Sequence, residues 1–214
     1  QQLKNTEFIF NTEVEVVGDK SLKLSNGKVI NTHFTIITSG ASYLIDNLKN
    51  QEIKWKSCYN LYFETEKREI SKPLIGLIAD KDALINNLFF HNSLGTSQTG
   101  NKELLSVTVV KNHDIDKKAL ISQVEAELKN YCNILVYRHI KTYHIKQALP
   151  NIDNLQNEIS PTETQIKPTV FLAGDYLLNG SLNAAMTSGE RAAQGLIMSL
   201  EDGLVVEGLS SEWI

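Results

Sequence analysis

The sequence has 214 residues, of which 42% are hydrophobic and 21% are charged, which is enough for one large domain or two smaller ones. Its 21 basic and 25 acidic residues give a formal charge of −4, which excludes the strongly basic surface typical of nucleic-acid-binding proteins. No apolar run is long enough for a transmembrane helix, and no spacing of His, Cys and Asp residues indicates a metal site. Two distant cysteines, Cys58 and Cys132, favour buried thiols in a reducing compartment over a disulfide.

The first 40 residues have the pattern of a β-meander followed by a buried strand. Short apolar or alternating runs are separated by Gly18-Asp19 and Asn26-Gly27, which are pairs typical of hairpin turns. Residues 33–40 (HFTIITSG) are then apolar on both faces, which predicts a central strand of a parallel sheet.

Residues 41–150 predict an α+β domain in which a sheet is covered on one face by a single helix. Strands are expected within 53–66, 73–80, 86–93, 103–111 and 134–150, the last ending at Pro150. Between them, a helix begins after Asp114 or Asp116, either of which could be its N-cap. Its apolar residues recur near helical spacing: Ala119, Leu120, Val124, Leu128 and Tyr131.

Five aromatic residues of these strands have two interpretations. They could line a substrate cavity, or they could be ordinary core residues of the sheet, which is the more common role of aromatics in alternating strands. The residues are Tyr59, Tyr62, Phe63, Phe89 and Phe90.

Residues 151–168 predict a polar linker, and residues 169–174 (TVFLAG) predict a second enclosed parallel strand. Asp175 follows directly, at the carboxyl end of this strand, where ligands bind in open α/β sheets. Its carboxylate could accept hydrogen bonds from ligand hydroxyls, and Gly174 would let the backbone approach a ligand closely.

A helix is predicted to begin near Ser181, its N-cap, with free N–H groups in its first turn. Taken singly, an Asp after a strand can be a turn former, and small residues in a helix usually mean tight packing; together they favour a ligand site. The expected apolar stripe is Leu182, Ala185, Met186, Gly189, Ala193, Leu196, Ile197 and Leu200.

Residues 170–193 (VFLAGDYLLNGSLNAAMTSGERAA) resemble the carboxy-terminal FAD-binding motif of the superfamily of FAD-dependent amine oxidases, phytoene desaturases and protoporphyrinogen oxidases. Residues 29–41 and 145–150 match other parts of that pattern in order. The resemblance implies an α/β FAD-binding fold, incomplete in this chain, with an inserted α+β mixed-sheet substrate domain. Residues 1–40 and 151–214 would be segments of the FAD domain, and 41–150 would be the substrate domain above the flavin.

The resemblance also implies roles for individual residues. Asp175 would bind the ribityl chain of FAD, with Gly174 beside the cofactor. The turn at the helix start would lie under the pyrimidine end of the flavin, where backbone N–H groups would stabilise negative charge on the N1–C2=O edge. That turn consists of Gly180, Ser181, Leu182, Asn183 and Ala184. No catalytic acid or base is implied.

Three departures from the family pattern shape the functional hypothesis. The sequence has no G-x-G-x-x-G, the element that binds the ADP half of FAD. Ser181 stands where amine oxidases have an aromatic residue, which favours a desaturase-like relative. Ala184 replaces a glycine. We therefore expect a carboxy-terminal fragment that lacks an amino-terminal dinucleotide-binding half, is inactive alone and does not necessarily retain FAD.

The hypothesis is an FAD-dependent oxidoreductase that oxidises a C–C or C–N bond of an apolar or amine-containing small molecule by hydride transfer to flavin. The alternatives are a non-catalytic interaction protein that keeps the fold without flavin, and an amine oxidase proper. We expect a cytoplasmic protein or one peripheral to a membrane, and strand edges left unpaired in the fragment could produce homo-oligomers.

Overall fold

The computed structural model describes residues 5–45, 53–95, 101–111 and 115–201, which fall into two compact units. Unit 1 consists of Gln1–Lys54 and Pro150–Ile214, and unit 2 consists of Trp55–Leu149. Unit 1 is therefore built from two stretches of sequence, with unit 2 between them. None of the helices in the described ranges is long and apolar enough to cross a membrane.

The predicted β-meander is present in unit 1 as a three-stranded antiparallel sheet. Its strands are β1 (Val14–Val17), β2 (Ser21–Leu24) and β3 (Val29–Asn31). At the second turn, Gly27 adopts a positive φ of 82° that favours glycine, and the side chain of Asn26 accepts a hydrogen bond from the N–H of Lys28.

A second sheet of unit 1 contains the predicted parallel strands. Its members, in the order β10-β11-β4, are β10 (Gln165–Lys167), β11 (Val170–Leu172) and β4 (Thr35–Ile37). β11 pairs in parallel with β4 and antiparallel with β10. Within the described residues β11 is thus central and β4 has one partner. The segment predicted as a linker therefore ends earlier than expected, because β10 lies inside it.

Helix α2 (Leu182–Glu201) follows β11, as predicted, but it buries a different face. Leu182 and Met186 of the expected apolar stripe are 78% and 68% exposed. The buried residues are small instead: Ala184, Ser188, Ala192, Gly195 and Ser199. Small side chains let the helix axis approach the sheet closely. Because several of them are not hydrophobic, the pattern of apolar residues predicted the wrong buried face.

The described residues of unit 2 include a five-stranded sheet with an α-helix packed on it. The strand order is β6-β7-β8-β5-β9. The elements are β5 (Trp55–Thr65), β6 (Gly76–Leu77), β7 (Ile85–Phe90), β8 (Glu103–Val109), α1 (Lys117–Cys132) and β9 (Val136–Pro150). β8 pairs antiparallel with both β5 and β7.

Helix α1 covers one face of this sheet through Leu120, Val124 and Leu128, all of them buried. The predicted cap Asp116 accepts a hydrogen bond from the N–H of Lys118, while the alternative cap, Asp114, lies outside the described residues. Ala119 and Tyr131 were expected on the buried stripe but are exposed.

The five candidate aromatics divide between the two faces of the sheet. Phe63 and Phe90 are fully buried in the core under α1, and Tyr59 packs against that core. Tyr62 and Phe89 alternate with these residues along their strands and so lie on the opposite face. Both cysteines are free thiols, half-buried rather than buried.

Candidate functional site

The candidate site of unit 1 lies at the carboxyl ends of the parallel strands β4 and β11. The pairing continues one residue past β11, where the N–H of Ala173 donates to the carbonyl of Ile37 at 2.9 Å. Beyond this point β4 leads to Ser39, and β11 leads to Gly174 and Asp175. The adjacent strand ends therefore open at the same edge, which is where open α/β sheets bind ligands.

A tight turn connects the end of β11 to the start of α2. Asp175 begins a short 3-10 turn, and its carbonyl oxygen accepts hydrogen bonds from the N–H groups of Leu178 at 3.2 Å and Gly180 at 3.0 Å. Gly180 has a φ of 70°, a left-handed conformation that favours glycine. The hydrogen bond from Gly180 thus fixes Asp175 and the start of α2 in one turn.

Gly174 is required for space rather than for backbone conformation, because its backbone is extended. A Cβ atom added there would lie 2.3 Å from Cε1 of the Tyr176 ring. The hydroxyl of Tyr176 donates to the carbonyl of Ser39 at 3.4 Å, so this ring bridges the two strand ends. No pattern in the sequence indicates this role for Tyr176.

The carboxylate of Asp175 is half-buried and has no hydrogen bond or ion pair with any residue in the described ranges. Its negative charge affects the neighbouring Tyr176. Burial raises the pKa of the Tyr176 hydroxyl, and the charge of Asp175 contributes to the same shift, which takes this pKa to about 12. An unpaired carboxylate at this position is available to accept hydrogen bonds from a ligand.

The first turn of α2 presents N–H groups beside this carboxylate. Ser181 is the N-cap: its Oγ accepts a hydrogen bond from the N–H of Ala184 at 3.1 Å and donates to Oδ1 of Asn179 at 2.6 Å. The N–H groups of Leu182 and Asn183 precede the first intrahelical hydrogen bonds and have no intrahelical acceptor. Together with the helix dipole they favour an electron-rich ligand atom.

The five predicted turn residues are not equivalent in the structure. Ser181, Leu182 and Asn183 are exposed, whereas the side chain of Ala184 is buried against unit 1 and its N–H is used in the cap. We therefore expect Leu182 and Asn183, not Ala184, to supply the free donors.

Two residues that the sequence analysis missed hold this turn in place. The buried Ser188 accepts a hydrogen bond from the N–H of Gly174 at 2.9 Å, and Asn179 donates to the carbonyl of Gln156 and to Oδ1 of Asn157, both at 3.1 Å. Serine and asparagine are common in helices and turns, so nothing in their sequence context distinguishes them.

The arrangement fits a ligand with two chemical features. A free carboxylate beside the strand end suits hydroxyl groups, and two free N–H groups at a helix N-terminus suit an electron-rich carbonyl. The ribityl chain and the pyrimidine end of a flavin carry these features, so the described residues fit that half of FAD.

Comparison of the sequence with protein families identifies one family. The family model "Flavin containing amine oxidoreductase" matches residues 3–197. No curated protein sequence matches the chain significantly.

Several solved structures share the fold at low sequence identity. An oxidoreductase from Methanosarcina mazei aligns with a TM-score of 0.61 and 11% identity, over 86% of this chain and 49% of that one. A protein from Exiguobacterium sp. 255-15 assigned as a protoporphyrinogen oxidase aligns with a TM-score of 0.59 and 13% identity, over 89% and 47%. A single-substitution mutant of putrescine oxidase aligns with a TM-score of 0.63 and 9% identity, over 88% and 48%.

The chain therefore spans about half the length of each of these three structures. At these identities the structural likeness shows the fold, and the family model, which matches nearly the whole chain, shows the family. The chain belongs to the flavin-containing amine oxidoreductases, a family of oxidoreductases whose cofactor is FAD.

Proposed function

We propose that this chain supplies the flavin-facing part of an FAD-dependent oxidoreductase that oxidises a C–C or C–N bond by hydride transfer. Unit 1 would hold the ribityl chain and the pyrimidine end of the flavin, and unit 2 would bind the substrate. The ADP half of FAD would be held by a glycine-rich βαβ element, a motif that these 214 residues do not contain.

The observation that carries this proposal is the unpaired carboxylate of Asp175 next to the start of α2. The hydrogen bond from Gly180 N–H to the Asp175 carbonyl fixes the two features in one turn. A carboxylate placed only to form that turn would be expected to accept a backbone hydrogen bond itself, and Asp175 accepts none from the described residues.

Each group would have a distinct task when the flavin is bound. Asp175 would accept hydrogen bonds from ribityl hydroxyls and so orient the cofactor. The N–H groups of Leu182 and Asn183, aided by the helix dipole, would stabilise negative charge at the N1–C2=O edge. The flavin supplies the hydride-accepting chemistry, while these residues bind and orient it.

The test compares two flavins that differ in the group that Asp175 is proposed to bind. Riboflavin carries the ribityl chain without ADP, and lumiflavin lacks that chain. We expect the 214-residue chain to quench riboflavin fluorescence at lower protein concentration than it quenches lumiflavin fluorescence. Asp175→Asn should weaken riboflavin binding about 5- to 20-fold and leave lumiflavin unchanged, because the amide oxygen still accepts hydrogen bonds but lacks the charge that strengthens them.

The matched control is Asp153→Asn, which changes an exposed aspartate elsewhere in unit 1 and should bind both flavins like the unsubstituted chain. Equal affinity for riboflavin and lumiflavin, or an Asp175→Asn variant that discriminates as well as the parent, would contradict the proposal. An absence of riboflavin binding would instead favour the alternative of an interaction protein without flavin.

The reaction class is proposed as desaturase-like because of Ser181. In the family pattern an aromatic residue stands at this position in amine oxidases, whereas here Ser181 is exposed and occupied in capping α2. The rival, an amine oxidase proper, predicts that the reconstituted full-length enzyme oxidises simple amines with release of peroxide, which can be measured directly.

A further inference from the structure

Strand β6 is an edge of the sheet in unit 2, since among the described residues it pairs with β7 and with no other strand. The N–H of Ile78 donates to the carbonyl of Asn86 at 3.3 Å, so the backbone groups of Ile78 point towards β7. These groups alternate in direction along a strand, and those of Ile75 and Leu77 therefore point away from β7. β6 thus presents backbone donors and acceptors that have no partner in the described ranges.

The segment that carries this edge is apolar and exposed. Leu74, Ile75 and Leu77 are 57%, 65% and 75% exposed. Proteins commonly protect a free edge with charged residues or proline, and residues 74–79 contain neither. Pro73 comes directly before them and has no N–H, so it limits strand pairing to the residues that follow. An edge of this kind favours the addition of another strand.

The segment is complementary to itself when two copies run antiparallel about Gly76. In that arrangement Ile75 lies opposite Leu77 of the second copy, and Leu74 lies opposite Ile78. Each of these positions pairs two large apolar side chains across the strands. The pairing of Ile75 with Leu77 also uses the backbone groups that point away from β7, so the side chains and the backbone favour the same register.

Opposite charges lie at the two ends of the segment. Lys72 and Asp80 are both exposed and are equally distant from Gly76 in sequence, so the same arrangement brings Lys72 of each copy near Asp80 of the other. The ammonium of Lys72 has no hydrogen bond or ion pair in the described ranges. The Asp80 carboxylate is held by the N–H of Asp82 at 2.8 Å and the hydroxyl of Tyr131 at 3.0 Å, and it has lone pairs left for a further donor.

We propose that β6 is a self-association site, at which a second copy of this chain adds its own β6 antiparallel and joins the two sheets into one. Because both copies use the same edge, the contact is isologous and assembly stops at a dimer. Exposed edges also accept strands of other proteins, but the apolar and charged complementarity of residues 72–80 with themselves favours a second copy. The inference does not rest on the proposed function, since these residues belong to unit 2.

The first test is sedimentation equilibrium of the full 214-residue chain, from low micromolar to several hundred micromolar. We expect monomers of 24.0 kDa in equilibrium with dimers, with a dissociation constant on the order of 10–100 μM, as for a small interface. Ile75→Lys and Leu77→Lys should each weaken the dimer at least about 10-fold, because each places a charge in an apolar cross-strand pair. Both side chains are exposed in the monomer, so the unfolding temperature should not change.

Two controls place a lysine on other exposed apolar surfaces. Ile140→Lys changes β9, which lies at the opposite end of the strand order, and Met186→Lys changes the exposed face of α2. Both variants should dimerise like the parent chain.

A charge exchange tests the register. Lys72→Glu and Asp80→Lys should each weaken self-association about 5- to 30-fold, because like charges then meet twice in each dimer. A mixture of the two variants should form a mixed dimer about as stable as the parent dimer, since opposite charges meet again at both contacts. This recovery distinguishes the intermolecular contact from the loss of the Asp80–Tyr131 hydrogen bond. High salt should reduce the effect of each substitution.

Several results would overturn the inference. They are a monomer at every concentration, growth into large aggregates instead of dimers, and a dimer that Met186→Lys abolishes and Leu77→Lys does not. Absence of a mixed dimer would overturn the antiparallel arrangement about Gly76. Riboflavin binding should be the same for Leu77→Lys and the parent, so if the dimer forms as described and riboflavin does not bind, the flavin proposal fails and the self-association site stands.

Discussion

The N–H of Gly174 donates a hydrogen bond to Oγ of Ser188 at 2.9 Å, which joins the end of β11 to the second turn of α2. Ser188 is fully buried and in turn donates to the carbonyl of Ala185 at 2.9 Å. The serine hydroxyl thus satisfies a backbone group that no strand or helix partner reaches. It also sets the position of the helix start relative to Asp175.

Ser188→Ala should therefore destabilise the chain although it removes a single oxygen atom. The N–H of Gly174 would lose its acceptor in a buried place, and such a loss costs about 1–3 kcal/mol. Urea unfolding measures this free energy, and the neighbouring Thr187→Ala, which removes a half-buried hydroxyl from the same helix, is the control. If both variants unfold at the same urea concentration, the hydrogen bond between Gly174 and Ser188 does not stabilise the fold.

Two glycines of α2 should respond in opposite directions to alanine. A Cβ on Gly189 would meet no atom within 4 Å, so Gly189→Ala should stabilise the helix by about 0.5–1 kcal/mol through its higher helix propensity. A Cβ on Gly195 would lie 2.6 Å from the backbone oxygen of Pro161 and 3.2 Å from the Phe171 ring.

Gly195→Ala should thus cost about 1–3 kcal/mol from overpacking, more than the propensity gain. Thermal unfolding of the two variants side by side measures the difference, with each serving as the control for the other. A stabilised Gly195→Ala would mean that α2 lies farther from the turn at Pro161 than the structure places it.

The hydroxyl of Tyr176 should make stability depend on pH in the alkaline range. Its pKa in the folded state is raised from 10.0 to about 12, first by burial and then by the charge of Asp175. Between these two values the folded form keeps the proton while the unfolded form releases it, so the free energy of unfolding falls as pH rises through this window.

This effect can be isolated with Tyr176→Phe, which lacks the titrating group. The stability advantage of the parent over this variant should shrink from pH 10 towards pH 12, and tyrosinate absorbance should show one late-titrating tyrosine that the variant lacks. Asp175→Asn should lower the pKa of Tyr176, because it removes the charge that contributes to the shift. A constant difference across the window would argue against a half-buried, protonated Tyr176.

Much of the fold could be predicted because its signals are local. Asn26-Gly27 forms a hairpin turn, Asp116 caps α1, and Ser181 caps α2, each through hydrogen bonds with residues close in sequence. The motif around Asp175 is also local, since the strand, the turn and the helix start are contiguous. Family resemblance then gave these residues their expected roles.

The wrong and missing predictions concern contacts between distant segments. The buried face of α2 consists of small residues that pack against β11 and the turn at Pro161. The spacing of apolar residues in the sequence does not predict such packing. β10 was not predicted as a strand because its three residues, Gln165–Lys167, are mostly polar and pair with β11 through their backbone.

The parallel pair of β4 and β11 has a consequence for how the protein is made. Thr35 pairs with Val170, and all of unit 2 is encoded between them. Long-range parallel pairing is slow because the intervening chain must be closed first, whereas unit 2 is one continuous stretch whose residues have all emerged earlier. During synthesis unit 2 is therefore able to fold while β4 still lacks β11, and the turn that carries Asp175 is among the last parts of the described chain to form.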